Sequence, residues 1–127
     1  MRIFFVIACL LLAAPASAGT YYGAIAYSLS DGHSGYSWNQ NSKPAAEKRA
    51  LKQCKKQGGK KCKIKVTAHN SCGAFAVSVV AGKTLHGGSS WGYNTAKDAK
   101  ARALKGCKQH SNGHACKVVA YTCNFGK

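Results

Sequence analysis

The chain has 127 residues, 19 lysines and arginines, three acids and a formal net charge of +16, which is one small domain with an extreme charge balance. The acids, Asp31, Glu47 and Asp98, leave little material for chemistry that needs two carboxylates facing one substrate. The charge favours polyanionic partners such as nucleic acid, anionic headgroups, envelope polymers or an acidic protein.

The first 18 residues read as a secretory signal peptide. Arg2 precedes an apolar run from Ile3 to Ala14, then Pro15 and the small triplet Ala16-Ser17-Ala18, the pattern of a cleaved leader. The run is shorter than the roughly 20 residues that span a bilayer, and no later stretch approaches that length, so no integral membrane insertion is expected. Val6-Ile7-Ala8-Cys9 loosely resembles a lipid-attachment box, but too little apolar core precedes Cys9, and cleavage after Ala18 is the better reading. The expected product is residues 19–127, a single duplicated domain that is periplasmic or extracellular, without Arg2 and with eighteen basic residues against three acids.

Tyr21 to Leu29 has strand composition and ends at the turn signal Asp31-Gly32, and a short strand through Tyr36-Ser37-Trp38 completes a hairpin. Ser42 is placed to cap a helix, with Pro44 in its first turn. Ala46, Ala50, Leu51 and Cys54 fall on one face of that helix, opposite Lys48, Arg49, Lys52, Lys55 and Lys56. Gly58-Gly59 ends it, and Cys62 to His69 alternates as a half-exposed strand. The order then repeats: an apolar strand over Gly73 to Val80, a turn at Ala81-Gly82-Lys83, and a return strand over Thr84 to Trp91. Thr95 and Asp98 cap a helix that keeps Ala99, Ala103, Leu104 and Cys107 inside, and Lys117 to Cys123 is the last strand.

This order is one motif written twice. Gly23-Ala24-Ile25-Ala26 returns as Gly73-Ala74-Phe75-Ala76, Trp38 as Trp91, Ala50-Leu51 as Ala103-Leu104, Cys54 as Cys107 and Cys62 as Cys116. The repeats cover about 20–72 and 73–124. The fold class is therefore α+β: two ββαβ repeats forming an antiparallel sheet with two helices on one face. Cys54, Cys62, Cys72, Cys107, Cys116 and Cys123 remain after the leader, an even number suited to a disulfide framework. Equivalent positions predict Cys54–Cys62 and Cys107–Cys116. Cys72 and Cys123, each closing a copy, pair with each other and tie the copies together. The duplicated pattern of Gly-Ala-x-Ala, Trp, Ala-Leu-x-x-Cys and Cys resembles an uncharacterised bacterial secreted family known only as a domain of unknown function. That resemblance implies an exported, disulfide-bonded protein and supplies no catalytic residues.

Basic residues line the outer faces of both helices, Lys48, Lys52, Lys55 and Lys56 on the first and Arg102, Lys105 and Lys108 on the second, and gather again at Lys60, Lys61, Lys63 and Lys65. These helical faces are the candidate binding residues, with a polyanion or acidic protein as partner. No cofactor and no catalytic residue is assigned. The spacing Cys107-x-x-His110-x-x-x-His114-x-Cys116 has zinc-ligand types, yet the equivalent loop of the first copy holds no histidine, so bridges are expected and no metal site. Tyr22, Tyr27, Tyr36, Trp38, Trp91, Tyr93 and Tyr121 sit on or beside strands; they could stack on bases or sugars beside the basic helices, but the repetition of Trp38 as Trp91 favours packing in the sheet–helix core. The functional expectation is a secreted, basic, non-enzymatic binding protein for an anionic envelope component or acidic partner. The alternatives are a small secreted histidine/lysine-dependent nuclease, which needs two histidines in one cleft, and an antibacterial toxin or its immunity protein.

Overall fold

In the computed structural model, residues 19–127 are described, and the expected leader with Cys9 lies outside them. Eight elements follow in order: β1 (Tyr22–Ser28), β2 (Ser34–Gln40), α1 (Lys43–Lys56), β3 (Cys62–His69), β4 (Cys72–Val80), β5 (Lys83–Tyr93), α2 (Ala96–His110) and β6 (Lys117–Cys123). The unit strand, strand, helix, strand thus occurs twice, in an α+β chain. The helix starts are capped as their side chains dictate: Ser42 accepts from the Ala45 amide and Thr95 from the Asp98 amide.

The strands form two sheets and not one. Their orders are β2-β1-β3 and β5-β4-β6, antiparallel throughout. The expected single sheet with both helices on one face is corrected by the central strands, which are buried on both sides. In β1, Ala24 and Ala26 pack with Ala46, Ala50 and Cys54 of α1, whereas Ile25 and Tyr27 point the other way. In β4, Ala74 and Ala76 pack with Ala99, Ala103 and Cys107 of α2, and Phe75 and Val77 face inward. Ile25, Tyr27, Val66, Phe75, Val77 and Ala120 form the inter-sheet core. The layers therefore run helix, sheet, sheet, helix, with the large apolar residues in the middle and small residues under the helices. Strand alternation requires this division once both faces are covered.

Small residues let each helix approach its sheet closely. A Cβ at Gly35 would overlap the Cys54 amide nitrogen and the Ala50 carbonyl oxygen. A Cβ at Gly88 would overlap the equivalent Cys107 nitrogen and Ala103 oxygen. Beside each glycine a buried serine joins helix to sheet. Ser37 Oγ accepts from the Ala24 amide at 3.1 Å and donates to the Ala46 carbonyl at 2.7 Å. Ser90 Oγ repeats this with Ala74 at 3.1 Å and Ala99 at 2.6 Å. The duplication is thus one of hydrogen bonds as well as of residues.

Three disulfides close: Cys54–Cys62, Cys107–Cys116 and Cys72–Cys123, each worth about 2–4 kcal/mol. The first two join a helix to the start of the following strand. The third has a different role from the one expected. Cys72 opens β4 and faces Cys123 of β6 in register, so this bridge links neighbouring strands of the second repeat and does not tie the copies together. Its counterpart in the first repeat is the register pair Tyr22 and His69, whose rings stack 4.4 Å apart. The copies are instead joined by the shared core and by side chains across the sheet edges. Ser89 Oγ donates to the Lys65 carbonyl at 3.1 Å, and Thr122 Oγ1 to the Ser37 carbonyl at 2.7 Å.

Asp31 organises the loops at one end. Its carboxylate accepts from the Lys60 amide at 2.9 Å and the His33 amide at 3.3 Å. The Lys60 amide holds this carboxyl below its ordinary pKa, helped by Ser28 and His33. A depressed folded value stabilises the protein above the unfolded pKa of about 3.9, and the contribution disappears as pH falls through the folded value. Asp31→Asn is expected to make the melting temperature less sensitive to pH below about 4; an unchanged acid profile would contradict the assignment. Ser37→Ala and Ser90→Ala should each cost about 1–3 kcal/mol in urea unfolding, because a buried amide and carbonyl lose their partner. Gly35→Ala and Gly88→Ala should cost more, since main-chain atoms must move. Losses below about 0.5 kcal/mol, the surface range, would contradict this packing.

Candidate polyanion-binding site

The residues expected from the helical pattern are exposed as the amphipathic stripes require. Lys48, Lys52, Lys55 and Lys56 lie on the open face of α1, and Arg102, Lys105 and Lys108 on that of α2. Lys55, Lys56 and Lys108 also sit in last helical turns, where the dipole favours cations. The two rows do not share a surface. With each helix on the outside of its own sheet, they occupy opposite sides of the molecule, and a ligand touching both must wrap around it.

Another basic cluster lies at the seam between the sheets. Lys61, Lys63, Lys65 and Lys83 line a hollow of about 560 Å³ with Tyr27, Leu29, Ser30 and Thr84. Lys63 and Lys65 come from β3, where the register against β1 shifts after Ile25: Ile25 faces Val66 and Ala26 faces Ile64, so Lys65 is the extra residue of a bulge. Lys61 is held by its amide donating to Ser28 Oγ at 3.1 Å, and Asp31 fixes Lys60 beside it. At the inner wall the Tyr27 and Thr84 hydroxyls lie 2.6 Å apart. Lys83 opens β5 and is delivered across the seam that Ser89 closes. No acid lines the hollow, and among the described residues the one ion pair is Lys43 with Glu47 at 3.9 Å. Ammonium groups gathered without counter-charge repel one another, and an anion in their midst relieves that repulsion.

Sequence proximity had already grouped Lys61, Lys63 and Lys65. Lys83 had no local signal, because only the packing of β5 beside β3 brings it there. Arg49 is also exposed and joins Lys52 and Lys56 around a hollow of about 350 Å³, whose other walls include Tyr36 and Trp38.

The aromatic residues correct another expectation. Tyr27 is core and packs against Phe75 at 5.3 Å, but Tyr36, Trp38, Trp91 and Tyr121 are 41, 47, 64 and 47% exposed. The tryptophans fall at matching places because the strand bulges match. The register shift between Tyr22 and Ala24 sets Asn39 at φ 50°, and the shift between Cys72 and Ala74 sets Gly92 at φ 82°. Each bulge follows a tryptophan, and their repetition reflects edge geometry and not a shared core role. Tyr36 and Trp38 stack with centroids 5.6 Å apart, and the Lys100 ammonium sits 4.0 Å over the Tyr121 ring.

The histidines lie on separate elements: His33 before β2, His69 ending β3, His86 within β5, His110 ending α2 and His114 in the following loop. The Cys107–Cys116 bridge occupies both sulfurs of the zinc-like spacing. The described residues hold no group of three or more His, Cys, Asp or Glu side chains placed for a metal ion. Among them no helix is long and apolar enough to cross a membrane.

Comparison with known proteins places this architecture. The chain is 44% identical over 63 residues to Protein Rv1269c and Protein MT1307 of Mycobacterium tuberculosis and to Protein Mb1300c of Mycobacterium bovis. The aligned stretch covers 50% of this chain and 47% of each relative, so the chain spans about half the length of the curated relatives it matches. No solved structure matches it. A family model described as a domain of unknown function, DUF4189, matches residues 22–123, from the first residue of β1 to the last of β6, and the chain belongs to that family.

Proposed function

We propose that this protein is a non-enzymatic binding protein that works outside the cytoplasm and holds an anionic envelope component or acidic partner. The carrying observation is the seam hollow in which Lys61, Lys63, Lys65 and Lys83 converge with no acid among its walls. Solubility requires only a modest net charge and gives no reason to gather four lysines around one concavity. The disulfides support the compartment, since closed bridges belong to oxidising surroundings. The basic faces of α1 and α2 then act at longer range, attracting the partner from either side before the seam engages it.

Binding to an anionic polymer should weaken steeply with salt, because released counterions supply much of the affinity. Neutralising Lys61, Lys63 and Lys83 together to Gln should weaken binding at least tenfold and flatten the dependence of affinity on salt. Charge reversal at Lys48, Lys52 and Lys55 should weaken it several-fold with the fold intact, as these side chains lie opposite the stripe of Ala46, Ala50 and Cys54. An envelope-derived anion should also bind more tightly than a generic polyanion of equal charge density. Equal affinity for the two, or full binding by the triple Gln variant, would contradict the reading.

A further inference from the structure

The two repeats differ at the sheet edges. Where β5 meets β3, a small residue, Ser89, donates to the Lys65 carbonyl, as Thr122 of β6 donates to the Ser37 carbonyl of β2 at the other seam. At the equivalent place on β2 stands Tyr36, and beside it a cleft of about 470 Å³ runs along β6. Its walls are Tyr36 and Trp38 on one side and the strand from Val119 to Cys123, including Tyr121, on the other. The same two rings also border the hollow that holds Arg49, Lys52 and Lys56. One aromatic ridge therefore separates a ring-lined cleft from a cationic one. Tyr36 and Trp38 are thus half-exposed apolar surface next to three exposed cations, whereas Tyr121 across the cleft already carries the Lys100 ammonium on its ring.

We propose that this ridge is a binding subsite for an acidic polysaccharide, with sugar rings packed on Tyr36 and Trp38 and their carboxylate or phosphate substituents directed at Arg49, Lys52 and Lys56. The assignment rests on the polyanion-binding reading and specifies its ligand. Sugar rings present C–H faces that pack on aromatic surfaces, and their hydroxyls need amide partners. Gln53 supplies one: its Oε1 accepts from the Tyr36 amide at 2.6 Å, which orients the side chain and leaves its NH2 group to donate. The ring geometry leaves no room for a base intercalated between the two rings, although a base can stack on an outer face as a sugar does. A base inserted between two rings needs two stacking contacts, about 7 Å, whereas Tyr36 and Trp38 are 5.6 Å apart and tilted by 28°. They offer outer faces only.

The chain has two tryptophans, so Trp91→Phe makes emission report on Trp38 alone. The disulfide-closed protein carrying that change is titrated with an oligogalacturonate, a phosphorylated oligomannose, a neutral maltooligosaccharide of the same length and an oligo(dT) of the same charge. One of the acidic sugars is expected to shift Trp38 emission saturably, at least tenfold more tightly than the neutral sugar and the oligo(dT). In wild-type background, followed by calorimetry, Trp38→Ala and Tyr36→Ala should each weaken binding of that sugar at least tenfold. Trp38→Phe should retain most of the binding and guards against a folding artefact, and Trp91→Ala should change it less than twofold. Tighter binding of oligo(dT) through the same rings would overturn the ligand class. Acidic-sugar binding unaffected by Trp38→Ala and Tyr36→Ala but lost on neutralising Lys61, Lys63 and Lys83 would overturn the subsite and leave the broader reading in place. Absence of binding to every polyanion would overturn both.

Discussion

Each helix of this protein lies so close to its sheet that its backbone touches the backbone of a strand. Gly35 and Gly88 make that contact possible, Ser37 and Ser90 lock it with a bond in each direction, and Cys54 and Cys107 extend it to the next strand. The consequences run through the rest of the fold. Contact this close keeps the buried centre of each helix–sheet interface to alanine, serine, glycine and cysteine, with larger residues such as Leu51, Ile64, Leu104 and Val118 only partly buried at its margin. The volume needed for a hydrophobic core must come from elsewhere, and it comes from the opposite sheet faces, where Ile25, Tyr27, Phe75 and Val77 meet. Two sheets back to back follow, with the helices outside.

That layering also decides what the charge can do. A lysine on either helix has solvent around it and its opposite number on the far side of the molecule, so the helical rows act as two separate fields. The seams between sheets are where side chains from both repeats converge. At one seam the convergence is cationic, at the other aromatic, and the duplicated scaffold is thereby made asymmetric. The equivalent register pairs Cys72–Cys123 and Tyr22–His69 show the same divergence within the framework, a covalent bridge in one copy and stacked rings in the other.

Much of this was legible in the chain. Local signals named the elements: Ser42 and Thr95 capped the helices as read, and Lys117 to Cys123 is a strand with the expected bounds. Duplication named Cys54–Cys62 and Cys107–Cys116, and the two cysteines that each close a copy, Cys72 and Cys123, were left to pair with each other. Layering was not legible in that way, because alternation between Ala24 and Ile25 says that both faces of a strand are covered without saying by what. The tryptophans misled for a related reason. Repetition of Trp38 as Trp91 reported a repeated bulge, which a count of apolar residues does not distinguish from a repeated core position. Of the seam, Lys61, Lys63 and Lys65 could be grouped from proximity, whereas Lys83 and Tyr121 arrive through contacts between strands distant in sequence.

The central claim is that charge on this protein is organised into a site and not spread as a coat. Amide chemical-shift mapping during titration with an acidic oligosaccharide tests it most directly, because every residue reports at once. The account predicts saturable shifts concentrated at 61–65 and 83–84 and at 36–38 with the adjoining face of α1, and little change along the outer face of α2. Shifts of equal size along both helices, with the seam residues unmoved, would contradict it.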